Sequence, residues 1–124
     1  MIDVDHFKDV NDRNGHEIGD LALKRVAKLL TRSFRNSDYV IRYGGDKFVV
    51  ILVDINSDNA DIIQRKFEWI NSELHYQKDG IPPLSISIGV AFSENGFTDD
   101  LFHQADTALY QAKEAGRNTC RIYR

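Results

Sequence analysis

Residues Tyr39 to Tyr43 and Phe48 to Asp54 are two strand-forming runs joined through Gly44-Gly45, and this pairing restricts the fold more than any other feature of the chain. Aromatic and β-branched residues suit a pleated backbone. Two adjacent glycines supply the backbone freedom of a tight hairpin. Around the hairpin the pattern alternates. Met1 to Val4 reads as the end of a strand, and residues 17 to 34 as a helix with Ile18, Leu21, Val26, Leu29, Leu30 and Phe34 near one face. Ser57 or Asp58 can cap a second helix to Leu74, with Ile63, Phe67, Ile70 and Leu74 as its buried stripe. A loop over 75–83 ends in Pro82-Pro83. Leu84 to Phe92 follows as a strand with Leu84, Ile86, Ile88, Val90 and Phe92 on one face and Ser85, Ser87, Gly89 and Ala91 on the other. Thr98 caps a third helix that Gly116 stops, and Thr119 to Tyr123 is a last strand. A hairpin within an otherwise alternating pattern defines a single α+β domain with a mainly antiparallel sheet.

The 124 residues suit one core, and the formal net charge of -3 argues against wrapping a nucleic-acid polymer or lying on an anionic membrane. The longest apolar run, Phe48 to Val53, is far too short to span a bilayer, and the N-terminus has no signal-peptide pattern. One cysteine, Cys120, excludes an internal disulfide and a CxxC zinc motif, and a reduced cytoplasmic compartment fits.

Chemistry concentrates at strand ends. Asp3 closes the first strand, and Asp46 follows the two glycines. If the first strand lies beside the hairpin, these carboxylates can share a hard divalent ion such as magnesium, which completes its shell with water and phosphate. Lys47 places a positive charge beside that ion. Asp3-x-Asp5 begins like a calcium loop, but Phe7 and Lys8 occupy positions where such a loop needs a ligand and a glycine; taken alone the acidic pair reads as a solvated turn, and the pairing of Asp3 with Asp46 is what favours a metal. Lys113 and Arg117, four apart, would project from one face of the third helix and clamp a polyphosphate. Asn11 and Asp20 flank the Asn14-Gly15-His16 turn. Their carboxylate and amide suit guanine, whose Watson–Crick edge presents two adjacent donors to an acid. The four histidines show no metal spacing, Ser85 and Ser87 have no nucleophile-elbow context, and there is no P-loop.

Four segments occur in order: Asp3-Val-Asp-His-Phe-Lys-Asp-Val-Asn-Asp-x-x-Gly-His-x-x-Gly-Asp20, Arg42-Tyr-Gly-Gly-Asp-Lys-Phe48, Ser87-Ile-Gly-Val-Ala91 and Ala105-Asp-x-Ala-Leu-Tyr-x-Ala-Lys-x-x-Gly-Arg-Asn118. Together they resemble a GGDEF domain, the diguanylate cyclase family. The resemblance implies a cyclase-palm-like fold, a central, mainly antiparallel sheet flanked by helices. It implies condensation of two GTP molecules into cyclic di-GMP and two pyrophosphates, each 3'-hydroxyl attacking the other's α-phosphate across a homodimer. By resemblance, Asp3, Asp46 and Lys47 stand at the reaction centre, and Asp3, Asp46 and the Val4 carbonyl hold two magnesium ions. GTP is bound by Asn11, Asp20, Gly44, Gly45, Lys113, Arg117 and backbone amides near His6 and Phe7. Arg35 and Asp38, an RxxD string just ahead of the hairpin tip, match the product-inhibition site.

Two departures qualify the match. Lys47 occupies a position where the family has an acid, and the family's N-terminal helix and start of the first strand are absent ahead of Asp3. Two expectations follow: a bacterial cytoplasmic cyclase joined to sensor or output domains, or a regulatory module that binds GTP or cyclic di-GMP without efficient turnover.

Overall fold

The computed structural model describes residues 1–124 and contains five strands and four helices. In chain order these are β1 (Ile2–Val4), α1 (Phe7–Asn14), α2 (His16–Ser33), β2 (Tyr39–Gly44), β3 (Lys47–Ile51), α3 (Ala60–Leu74), β4 (Ile86–Val90), α4 (Asp99–Glu114) and β5 (Cys120–Ile122), with a 3₁₀ turn at Ser57–Asn59 leading into α3. The sheet order is β2-β3-β1-β4-β5, with β1 at the centre. β1 runs antiparallel to β3 and to β4, and only the β4–β5 pairing is parallel. The α+β reading and the mainly antiparallel sheet therefore hold.

Strand alternation divides the sheet into two chemically different faces. Ile2, Val4, Phe48, Ile86 and Ile88 point into the main core, where α2 and α3 contribute Val26, Leu30, Ile63, Phe67, Ile70 and Leu74. The other face carries Asp3, Lys47 and Ser87, which lie side by side in register. α4 covers this second face and presents Ala108, Leu109 and Ala112 to it. Beyond Met1, at the start of β1, an apolar cavity of about 730 Å³ lies between β3 and β4 and reaches Phe92, Phe97 and Phe102.

Several local expectations need correction. Residues 7–14, which the sequence pattern assigns to no helix or strand, form α1, which fully buries none of its residues. Leu21, expected on the buried face of α2, is 42% exposed; Ala22 and Leu23 take that face. The cap ahead of α3 is Asn56, which accepts from the Asp58 N–H at 2.9 Å while Asn59 accepts from the Asn56 N–H. The expected stripe of α3 is buried as read, with Asn71 added to it. Asn71 accepts from the Ile86 N–H at 2.8 Å and donates to the Ile86 carbonyl at 3.0 Å. β5 pairs only with Ile88 to Val90, so Asn71 satisfies the backbone of Ile86 that β5 does not reach. Thr98 caps α4 as expected, accepting from the Leu101 N–H.

Candidate active site

The site grows from the polar face of β1. Asp3 faces Lys47 across β3 and Ser87 across β4, and its side chain is only 9% exposed. One oxygen, Oδ2, accepts a short hydrogen bond from Lys113 and lies 3.6 Å from Lys47 Nζ. The other, Oδ1, is buried and has no hydrogen-bond partner. Asp46 approaches from the hairpin tip, where its carbonyl accepts from the Val4 N–H at 3.1 Å. The tip turns through Gly44 (φ 154°) and Gly45 (φ 42°). Arg42 braces it, its guanidinium donating to the Gly45 carbonyl at 3.0 and 2.8 Å.

The two carboxyls are shifted in opposite directions. Burial pushes Asp3 up, but the hydrogen bond from Lys113, the Asp46 side chain and the charges of Lys113 and Lys47 outweigh it and hold Asp3 below the ordinary carboxylate range. Burial and the adjoining Asp3 push Asp46 up. Two neighbouring carboxylates of this kind share a cation more readily than they coexist as bare charges.

Lys47 pairs with Asp3, its Nζ 3.6 Å from Oδ2. The strand register sets its side chain opposite Asp3. Lys113 and Arg117 do not share a helix face. α4 ends at Glu114, and Gly116 (φ 109°) and Arg117 (φ 65°) turn the chain left-handed. The Gly116 N–H bonds to the Lys113 carbonyl and the Arg117 N–H to the Ala112 carbonyl, a Schellman ending. Lys113 thus reaches Asp3 from the last helical turn, while Arg117 stands exposed in the turn beyond.

That turn is tied down by Asp5, which the sequence reading left as a solvated residue. Asp5 is 7% exposed and accepts from Ser85 Oγ and Ser87 Oγ, each at 2.6 Å, and from the Asn118 N–H at 2.9 Å. It anchors β1 to β4 and to the turn carrying Arg117. The alternation of Ile2 and Val4 with Asp3 and Asp5 was the available signal that both acids share one face.

α1 and α2 build the next part. His6 enters α1 in the left-handed region (φ 54°), and no side chain caps the first turn. The amides near His6 and Phe7 are therefore left without a side-chain partner at the start of this helix. Gly19 is the contact point between the two helices. A Cβ there would lie 1.7 Å from Asn11 Oδ1 and 3.4 Å from Phe7 Cζ. Asn11 therefore lies against the backbone of Gly19, the residue that precedes Asp20 in α2, and Asp20 itself is exposed.

Arg35 and Asp38 are placed apart from these groups. They occupy the turn before β2, whose first residue pairs with Ile51 at the opposite end of the hairpin from Gly44. Asp38 accepts from the Val53 N–H at 3.1 Å and the Arg35 N–H at 3.0 Å. The Arg35 guanidinium donates to the Val53 carbonyl and lies 3.6 Å from Asp38. Burial raises Asp38, but the two backbone N–H groups and the Arg35 side chain prevail and hold it below the ordinary range. A carboxyl with a lowered folded pKa stabilises the fold above its unfolded value of about 3.9, and that contribution drains as pH falls through the folded value. Asp38→Ala should cost about 2 kcal/mol in urea unfolding at neutral pH, because it leaves two backbone donors unpaired. The difference from the natural chain should shrink below about pH 4, where the natural carboxyl is also being protonated.

Cys120 in β5 is half-buried, and burial pushes its thiol up to about 12, so it is a packing residue. All four histidines are exposed, and no helix is long and apolar enough to cross a membrane.

A buried Asp3 beside a half-buried Asp46, at the meeting of β1 and a glycine hairpin and with a lysine from the last turn of α4, stands on the polar face of a mainly antiparallel sheet. The chain matches the family model described as diguanylate cyclase, GGDEF domain, over residues 1–119, and it belongs to that family. Diguanylate cyclase A of Treponema denticola is 34% identical over 122 residues, covering 95% of this chain and 33% of the relative. Diguanylate cyclase DosC of Escherichia coli is 38% identical over 130 residues, covering 100% of this chain and 28% of the relative. The chain thus spans about a third or less of the length of these relatives. Among solved structures, the GGDEF domain of DgcB from Caulobacter crescentus in complex with c-di-GMP superposes with a TM-score of 0.86 at 28% identity, over 98% of this chain and 74% of that one. The active GGEEF domain of a diguanylate cyclase from Vibrio cholerae gives 0.84 at 32% identity, over 99% and 80%. These neighbours agree with the cyclase-palm-like fold.

Proposed function

We propose that this chain is a cyclic di-GMP signalling domain that binds GTP on the polar face of β1 and joins two GTP molecules across a homodimer. The observation that carries the proposal is the state of Asp3: a buried carboxylate with one unpartnered oxygen, beside Asp46 and bonded to Lys113. An oxygen left without a partner in a buried site costs free energy unless something fills the position. The donor set fits one divalent ion, taken as Mg²⁺, on Asp3 Oδ1, the Asp46 carboxylate and the Val4 carbonyl. When bound, such an ion offsets charge on the α-phosphate and eases deprotonation of the attacking 3'-hydroxyl.

The chain's own residues bind and orient. The α1 amides near His6 and Phe7 take phosphate oxygens, and Gly44 and Gly45 let the hairpin backbone approach them. Lys113 can exchange Asp3 for a phosphate, and Arg117 adds a planar fork from its tethered turn. Asp20 accepts from the two adjacent donors of guanine, and Asn11 completes the edge. One domain holds one nucleotide, so the reacting hydroxyl must come from a second copy. Arg35 and Asp38 receive the product: the Arg35 side chain, 57% exposed, faces the ligand, and Asp38 holds the turn. Cytoplasmic placement and attached sensor or output domains belong to the same reading.

The test is mass-spectrometric detection of cyclic di-GMP from GTP and Mg²⁺ at high protein concentration. Product is expected from the natural chain, with a loss of at least a hundredfold in Asp46→Asn, which removes a metal-binding charge. A second reading rests on the Lys47–Asp3 contact: GTP or cyclic di-GMP binds, turnover is poor, and the domain regulates its neighbours. Calorimetric binding without product would select it, and no binding of either nucleotide would remove both readings.

A further inference from the structure

We infer that Lys47 is a resident cation filling one of two cation positions at Asp3, so that the site takes GTP with a single divalent ion. The inference rests on the proposed GTP binding and deepens it. The two oxygens of Asp3 are differently occupied. Oδ1 is buried and unpartnered. Oδ2 already accepts from Lys113 and has Lys47 Nζ at 3.6 Å.

The backbone fixes this arrangement. Lys47 is the direct cross-strand neighbour of Asp3, on the same face of the sheet. Side chains opposite one another in an antiparallel pair have Cβ atoms only about 5 Å apart. The Lys47 side chain is 44% exposed, so it reaches water while its ammonium stays within ion-pair distance of the acid. Lys113 arrives from a helix and can leave Asp3 for a phosphate. Lys47 stays beside Asp3 whichever partner its amine takes.

A divalent ion shared through Oδ2 would therefore face an adjacent ammonium, whereas one on Oδ1 and Asp46 would lie on the free side of the carboxylate. Lys47 supplies one positive charge to a bound triphosphate, which preserves part of the electrostatic neutralisation. An ammonium offers no coordination position to a hydroxyl, so it cannot supply the activation that a metal ion gives. Turnover then rests on the single ion at Oδ1 and Asp46, and is slower than two ions would allow.

The experiment counts Mn²⁺ by electron paramagnetic resonance on the chain saturated with the α,β-methylene analogue of GTP, whose binding is verified by calorimetry. One Mn²⁺ per bound nucleotide is expected for the natural chain and two for Lys47→Glu. Lys47→Met, which removes only the charge, should tighten Mn²⁺ binding about tenfold or more. Two ions on the natural chain, or the same count and affinity in all three proteins, would overturn the inference while leaving GTP binding intact. Failure of the analogue to bind would remove the GTP reading, and the inference with it.

Discussion

Gly89→Ala should leave the domain close to unfolded, costing about 3–5 kcal/mol in urea denaturation. Gly89 lies in β4 beneath α4, and a methyl group there would sit 2.1 Å from the Leu109 nitrogen, 2.2 Å from the Ala105 carbonyl oxygen and 2.8 Å from the Ala108 carbonyl carbon. All three are backbone atoms of one helix, so no rotamer change relieves the clash. α4 must lift off the sheet, and Ala108, Leu109 and Ala112 lose their burial together. Domains of this size are stable by only about 5–15 kcal/mol, so one methyl removes a large part of the total. The residual folded fraction should also bind nucleotide poorly, because α4 brings Lys113 to Asp3. Gly96→Ala is the control. No atom lies within 4 Å of a Cβ at that position, whose φ is 78°, so only about 1 kcal/mol of backbone strain is expected. Comparable losses in the two variants would show that α4 tolerates displacement from β4.

Asp5→Ala is the second large effect, with an expected loss of about 3 kcal/mol and a fall in Tm of about 10 °C by calorimetry. Removing the carboxylate leaves two serine hydroxyls and the Asn118 N–H facing a buried gap. Hydrogen bonds to a charged acceptor contribute about 1.5–3 kcal/mol each, and stranded donors carry their own desolvation cost. Asp5→Asn should retain part of the stability, since its amide oxygen can still accept and the serine hydroxyls can rotate. A functional effect accompanies the structural one. Arg117 and Asn118 both adopt positive φ, at 65° and 50°, a conformation that unanchored non-glycine residues rarely hold. Without Asp5 that turn relaxes, and the affinity for GTP should fall even at temperatures where Asp5→Asn remains folded. Unchanged stability in Asp5→Ala would mean that water replaces the carboxylate at no cost.

The elements read correctly from the sequence are those whose reasons are local. The hairpin follows from Gly44-Gly45, β4 from its strict alternation, α3 from its apolar stripe and the start of α4 from Thr98. α1 was hidden because Asp9, Asn11, Asp12 and Asn14 favour turns, and its helix is held by Phe7 and Asn11 lying against Gly19. The reading of Lys113 and Arg117 as one helical pair ran past Gly116, which the same sequence marks as a stop. Asp5 and Lys47 depended on register. The partners of Asp5 lie 80 to 113 residues away, and the contact of Lys47 with Asp3 requires that β1 insert next to β3. Motif order brought the site residues into view; which oxygen each cation meets is a property of the assembled sheet.

The central position of β1 has a consequence for synthesis. Its two neighbours are β3 and β4, and Ile2 pairs with both Phe48 and Ile88. At ribosomal rates of about 5–20 residues per second, roughly 4 to 17 seconds separate the emergence of Ile2 from that of Ile88. During that interval the first strand can at most form half of its ladder, and Asp5 has none of its partners. Nascent chains interrupted before β4 should therefore remain protease-sensitive however long they wait, and the acid pair becomes a site only when the last third of the domain has been made.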